Sequence, residues 1–441
     1  MSPTLKALEA AGGDKTEEVP SLERVEKNKE KFLDSMIKEY GLDRTIGAIE
    51  QVLEIQESLQ RDTRLSETFL LGTHNSYNST AYGVPSITAE QNLKIEEQLD
   101  LGVRFLMIDV KDCNGVLYTA HKYCTSLTKS EALSVILDEI VAWKKKHPER
   151  TLLIDFENNN DASTDKEFVA MVKDKFGTLL FPPKSYVNLP TLGDVHGKVL
   201  PFIEKFRDTK EKNKVFYGIF FRYGLQSEKL GSVASEPKLN EYTFFPLYPD
   251  NLISKFRKLH APEKFFKNPK RNGLIIMYEG TNLDTVVYTP NRISTLDIEK
   301  AKFSGVNVLS LDSIQDKKDG VKKMFAALWA YAPSFSKHGS SQCTYIDHNT
   351  LLWMRSACLD KKDATIACHI EDGSDGSWVL TKSRYIDSQS GERACNKVGA
   401  HFKSPRSPSQ VMDILDLSAE EIDIAINGDE LFMPSKDGEP L

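Results

Sequence analysis

No stretch of this chain is apolar over the roughly 20 residues that a membrane-spanning helix needs. None of the six cysteines lies in a CxxC pair, the spacing common in structural zinc sites. Basic charge is not in excess: 57 Lys and Arg stand against 64 Asp and Glu, a formal net charge of −7. That balance leaves no electrostatic footprint for nucleic acid and argues against strong non-specific attraction to an anionic membrane. The opening segment, Met1 to Gly13, has no apolar core of the length of a secretory signal. On that segment alone the chain reads as cytosolic, or as a mature form whose signal has been removed.

What is present is ordinary globular composition, 40% hydrophobic and 27% charged, in a chain of 441 residues that fits two or three domains. The cysteines fall into two local groups. Cys113 and Cys124 flank an Asn114-Gly115 hairpin turn; Cys343, Cys358, Cys368 and Cys395 crowd a C-terminal segment. An even count in two groups suggests disulfides and a secreted or other oxidising compartment. Buried free thiols are the alternative, because spacing does not fix pairing. Residues 1–65 divide into a polar tail and two helical patterns from Leu22, punctuated by Gly41 and expected to cover one end of the next unit. Residues 66–333 carry the strand-like runs. Residues 334–415 form a short Cys-rich unit, and 416–441 an acidic tail.

Candidate strands are 67–72, 103–110, 151–157, 198–203, 216–221, 242–246, 273–278 and 306–311. The hairpin and a helix separate the second from the third. Thr128-Lys129-Ser130-Glu131 has the form of a capping box opening that helix. Leu133, Ile136, Ile140 and Val141 form its apolar stripe, and His147-Pro148 ends it. A second helix, 317–331, follows the last strand. Several runs end in chemistry: Leu70-Leu71-Gly72-Thr73 in His74 and Asn75, Val103 to Asp109 in a carboxylate followed by Lys111, Val116 to Ala120 in His121, and Thr151 to Phe156 in Glu157. Glu279 and Asp312 end the seventh and eighth runs. Two histidines and several carboxylates at strand ends suit acid–base chemistry on a phosphodiester. Arg104, by strand alternation, faces away from Asp109 and suits a structural role.

The series Gly72-Thr73-His74-Asn75-Ser76-Tyr77-Asn78, then QLDLGVRFLMIDV, a His after a short hairpin, WKKKHPERTLLIDFEN and LPTLGD resembles the phosphatidylinositol-specific phospholipase C X domains, over roughly residues 66–315. It is most similar to the small phospholipase C-like phosphodiesterases. The resemblance implies an α/β fold of TIM-barrel-like (β/α)8 form, whose regularity the pattern leaves open. It implies His74 as general base and His121 as general acid, acting on a phospholipid headgroup at a membrane surface.

The resemblance also divides on the cation. Calcium-dependent members place an Asn, a Glu, an Asp and a Glu around the metal. Asn75, Asp109 and Glu157 match three of these, and Met107 holds the fourth place without an oxygen to offer. Metal-independent members place an Arg two residues after the second-strand Asp, where this chain has Lys111. We therefore expect catalysis by His74, His121, Asp109 and Lys111, with Asn75, Glu157, Glu279 and Asp312 toward the substrate. No cofactor is favoured; Ca²⁺ or Mg²⁺ on Asn75, Asp109 and Glu157 is the alternative. The expected reaction is attack by an inositol 2-hydroxyl on phosphorus in phosphatidylinositol or a glycosyl-phosphatidylinositol. The alternatives are a metal-dependent glycerophosphodiesterase, a sphingomyelinase-D-like lyase, or an inactive barrel that binds lipid or glycan.

Overall fold

The computed structural model describes residues 22–121, 123–160, 163–181, 190–204, 221–225, 241–247, 273–278, 294–303, 306–311, 314–333, 342–357, 361–371, 376–418 and 422–428. In chain order the elements are α1 (Leu22–Tyr40), α2 (Leu42–Leu59), β1 (Leu70–Thr73), α3 (Ile95–Asp100), β2 (Val103–Asp112), β3 (Leu117–Ala120), β4 (Lys129–Ala132), α4 (Leu133–Lys146), β5 (Leu152–Asn158) and α5 (Asp165–Phe176). They continue with β6 (Val199–Glu204), β7 (Phe221–Leu225), β8 (Glu241–Leu247), β9 (Gly273–Tyr278), α6 (Thr295–Phe303), β10 (Val308–Leu311) and α7 (Lys317–Ala326). A C-terminal unit follows: β11 (Gln342–Ile346), β12 (Trp353–Ala357), β13 (Lys361–Ile370), β14 (Ser377–Tyr385), α8 (Ser388–Asn396), α9 (Pro408–Leu415) and β15 (Ile424–Ile426).

The α/β class stands. Strands β1, β2, β5, β6, β7, β8, β9 and β10 pair in parallel in that order, and β1 pairs with β10 as well as with β2, so the pairing is cyclic. Alternation then sorts the side chains into two cores. Leu70, Phe105, Leu153, Leu200, Phe202, Phe221 and Val308 pack together inside the ring, with Leu65, Phe181, Leu192 and Val195 filling its N-terminal end. Their neighbours of opposite parity, among them Leu71, Leu106, Ile108, Ile154, Ile203 and Leu309, face outward and pack with the helices. The strand–helix alternation of a (β/α)8 fold is seen from β1 to β6 and again from β9 through α6 and β10 to α7, while the connections after β6, β7 and β8 lie outside the described residues.

Gly41, at φ +84°, separates α1 from α2, where the sequence placed the break. Helix α2 lies against the N-terminal ends of β2 and β5: Glu57 takes Arg104 Nε at 3.0 Å, and Glu54 takes Arg150 at 2.9 Å. Arg104 is thus structural and faces away from the ring interior.

Three expectations need correction. Thr128-Lys129-Ser130-Glu131 opens no helix: Lys129–Ala132 pairs antiparallel with β3, and α4 starts one residue later on an Ala132 N-cap that contributes no side-chain bond. Of the expected strand 216–221, residues 216–220 lie outside the described residues; the described strand there is Phe221–Leu225, paired with β6 from Phe202↔Phe221 onward. Helix α7 ends at Ala326, short of 331, where the buried run Ala327-Leu328-Trp329-Ala330 docks instead. The acidic segment after 416 is more than a tail, because β15 lies buried between β11 and β13 in the five-stranded C-terminal sheet.

Cys113 and Cys124 form the hairpin disulfide that the sequence suggested. Cys368 pairs with Cys395, and Cys343 is bonded to a partner outside the described residues. No helix among the described residues is long and apolar enough to cross a membrane.

Candidate active site

Inside the ring the strands change character along their length. On β2 the inward residues run Phe105, Met107, Asp109, Lys111; on β5 they run Leu153, Asp155, Glu157; on β1, Leu70 and Gly72 lead to His74. Apolar side chains fill the lower ring, and polar ones stand at the C-terminal rim. Gly72 is required by this packing: a Cβ there would lie 3.0 Å from both the Phe105 ring and its carbonyl oxygen.

The turn after β1 explains the shape of the motif. Asn75 takes a left-handed backbone, φ +43°, which Asn tolerates better than most residues. That turn carries Ser76 back to β2, where its N–H donates to Met107 O at 2.9 Å and its Oγ accepts from Met107 N–H at 3.0 Å. His74 is held by its own N–H to Leu311 O, 3.0 Å. The Gln91 side chain donates to His74 O at 2.9 Å and to Leu311 O at 2.8 Å, joining β1 and β10 at the rim.

Two histidines meet two carboxylates. His121 Nδ1 lies 2.7 Å from Asp109 Oδ2, a bond from the end of β3 to the inward face of β2. His74 Nδ1 lies 3.2 Å from Glu90 Oε2, and Asn75 Nδ2 donates to Glu90 Oε1 at 2.9 Å. Asp109 is fully buried, and burial pushes it up to about 6; the His121 hydrogen bond pulls the other way, and the charge of Glu157 adds to the rise. For Glu90, burial also pushes upward, but the His74 charge and the hydrogen bonds from His74 and Asn75 outweigh it and hold the carboxyl below its usual range. The Tyr77 hydroxyl lies against Asp109; burial, then the charges of Asp109 and Glu90, raise it well above the usual tyrosine range, so it stays protonated.

Glu157 sits beside Asp109 in the β2–β5 register and accepts from Asn159 Nδ2 at 3.4 Å. Lys111 Nζ donates to Asn159 O at 2.7 Å, which places its charge at the same rim. The structure thus gathers His74, Asn75, Asp109, Lys111, His121 and Glu157 at one end of the ring. Glu279 and Asp312 lie outside the described residues. Glu90, Gln91 and Tyr77 were missed. Tyr77 lies within the motif as one more apolar side chain, and Glu90-Gln91 stands in a polar loop with no periodicity to mark it.

A calcium site would need six to eight oxygens. Among the described residues of the rim and its turn, the buried oxygens that lack a hydrogen-bond partner are Asn75 Oδ1, Asn78 Oδ1, Glu90 Oε2, Asp109 Oδ1 and the Tyr77 hydroxyl. Asp109 Oδ1 shares its carboxyl with His121, and Met107 packs against the apolar interior. Among the described residues, these donors by themselves fall short of a calcium shell.

A parallel strand ring with acid–base pairs at its C-terminal rim is the class of protein that fold and site define. Residues 61–223 match the family model PI-PLC X 1. PI-PLC X domain-containing protein 1 of Arthroderma benhamiae is 33% identical over 163 residues, 34% of this chain and 50% of that protein. An uncharacterized protein of Mycobacterium tuberculosis, Rv2075c, is 24% identical over 402 residues, 82% of this chain and 76% of that one. Among solved structures, the phosphatidylinositol-specific phospholipase C from Listeria monocytogenes aligns with a TM-score of 0.43 and 19% identity, over 62% of this chain and 97% of that one.

Proposed function

We propose that this protein is a phosphodiesterase of phospholipase C type, and that the strand ring is an irregular TIM-barrel-like scaffold for it. The observation that carries the reading is the pair of histidines at the rim, each with Nδ1 on a carboxylate, at 2.7 Å and 3.2 Å. In this reading His74 takes the proton of an inositol 2-hydroxyl, and the freed oxygen attacks phosphorus. A phosphorus–oxygen bond forms to the ring while the bond to diacylglycerol breaks. His121, oriented by Asp109, delivers a proton to the leaving oxygen. The product is a cyclic inositol phosphate. Lys111 neutralises the phosphate as its charge grows, as a point charge without the fork of an arginine. The substrate is a phosphatidylinositol or glycosyl-phosphatidylinositol headgroup at a membrane surface, and the disulfides suit an oxidising or secreted location.

The test is hydrolysis of a phospholipid panel with and without chelator. The expected outcome is diacylglycerol release from phosphatidylinositol, unchanged by chelator and abolished in Lys111→Met. Release of choline or of free glycerol phosphate would point to the lyase or the glycerophosphodiesterase. Turnover of no lipid would leave a binding protein. Loss of activity with chelator and its return with calcium would transfer the cation's work from Lys111 to a metal on Asn75, Asp109 and Glu157.

A further inference from the structure

The C-terminal sheet carries a group of side chains that the phosphodiesterase reading leaves unused. We propose that Asp347, His348 and Asp423 form a binding site for a divalent metal ion of the zinc class, in which three protein ligands leave the remaining positions to water. The inference goes beyond the chemistry at the ring's rim and does not rest on it.

The topology makes the group. β11 and β15 pair antiparallel, with Ile346 opposite Ile424. Asp347 follows the one and Asp423 precedes the other, so the same register sets two aspartates against each other where the pairing ends. His348 comes next. Its backbone N–H and its Nδ1 both reach Asp423 Oδ1, at 3.2 and 2.8 Å. One ligand atom from each of the three residues lies within 4.8 Å of the other two. Two atoms bound to a tetrahedral zinc ion at its usual bond lengths stand roughly 3.3 Å apart. The His348–Asp423 pair therefore opens by only about half an ångström to admit the ion, which takes the place of the proton they share.

Two observations on charge and donors favour a cation here. Like charges opposite each other on paired strands repel. Yet no lysine or arginine among the described residues pairs with Asp347 or Asp423; the imidazole of His348 is their one basic partner. On α2, by contrast, Glu50, Glu54 and Glu57 all meet a guanidinium. The second observation is the state of the oxygens. Asp347 Oδ2 accepts from the Thr350 N–H and hydroxyl, at 2.9 and 2.6 Å, and Asp423 Oδ1 is taken by His348. No hydrogen bond from a described residue reaches Asp347 Oδ1 or Asp423 Oδ2. Each aspartate thus offers an oxygen on a carboxylate whose rotation is already set.

The donor set also selects the ion. Calcium and magnesium take shells of oxygen, whereas an imidazole beside carboxylates suits zinc and its neighbours. The loop that bears the ligands is ordered beforehand: Leu351 N–H donates to Asp347 O at 2.7 Å, and Asn28 of α1 donates to Asn349 O at 3.2 Å. An ion at this position would join the end of β11 to the start of β15, a strand of three residues.

The experiment is equilibrium dialysis of the full chain against Zn²⁺ alone, with Asp423→Asn and His348→Ala as the site variants. The double variant His74→Ala, His121→Ala controls for the histidines at the rim. Wild type should hold one zinc ion per chain at this site, and the rim variant should keep it. Each site variant should bind it at least 10–100-fold more weakly, roughly the loss that follows even from removing an outer partner of a ligand. Zinc should raise the unfolding temperature of wild type and leave that of both site variants unmoved. No zinc on wild type, or equal affinity in wild type and both site variants, overturns the site. Displacement of zinc by an equal concentration of Ca²⁺ overturns the class of ion.

Discussion

At the N-terminal end of the ring, Arg104 and Arg150 are buried among Glu50, Glu54 and Glu57 of α2, with separations between 2.9 and 3.8 Å. Arg104 also donates to the carbonyls of Leu99 and Val103 and lies 5.3 Å from the Trp143 ring. At the C-terminal end, buried charge takes another form: Asp109 and Glu90, each on a histidine, with Lys111 at the edge. Both ends bury ionisable groups at comparable distances, yet the chemistry differs. Guanidinium charge is permanent, so the lower cluster fastens α2 to the strands at any ordinary pH. Imidazole and a carboxyl raised to about 6 exchange protons near neutrality, so the upper cluster can do work. Residue type, with the burial that raises Asp109, separates fastening from reactivity.

Three substitutions break that contrast at different points. His74→Ala and His121→Ala should each lower kcat by about 10²–10⁴-fold with the unfolding temperature preserved, because both side chains stand at the rim. Wild-type turnover in either would remove acid–base catalysis from this end. Arg104→Met should act the opposite way. It leaves Glu57 short of its nearest cation and should cost about 3–5 kcal/mol in denaturant unfolding, while the activity per folded molecule stays within about twofold. A comparable loss of kcat would show that the two ends are coupled.

The smallest effect tests the rim's own stability. Asp109 has an ordinary carboxyl value of 3.8 and about 6 in the fold. Between these values the folded protein keeps a proton that the unfolded chain has released, so stability falls as pH rises through the window and is level above it. Asp109→Asn removes this term. It should be more stable than wild type by up to about 3 kcal/mol at pH 8, no more stable at pH 3.5, and poorer in kcat because His121 loses its acceptor. Equal pH profiles of unfolding in the two proteins would show that Asp109 stays ionised in the fold.

Much of this was legible because strand alternation is a strict rule. Once Leu70, Phe105 and Leu153 are inward, His74, Asp109, Lys111 and Glu157 are inward too, and Arg104 is not. Gly41 and the Asn114-Gly115 turn were readable for equally local reasons of backbone conformation. What was not readable depended on partners. Thr128 to Glu131 has the spacing of a cap, but pairing with β3 outweighs it. β15 is three residues of an acidic segment, unmarked until β11 and β13 flank it. Glu90 belongs to the same class: a loop acid is one among 64 acidic residues until the fold puts it on His74.

The Gln91 stitch across the closing strands has a consequence for how the molecule comes together. Asp109 and His121 are 12 residues apart, Asn75 and Glu90 are 15 apart, and Ser76 meets Met107 over 31. Gln91 and Leu311 are 220 apart. Loop-closure entropy rises with separation, and low contact order favours early formation. The reactive pairs are thus closed over short loops, whereas the seam between first and last strands closes the longest one and carries the larger entropy cost. One glutamine side chain is where the two histories meet.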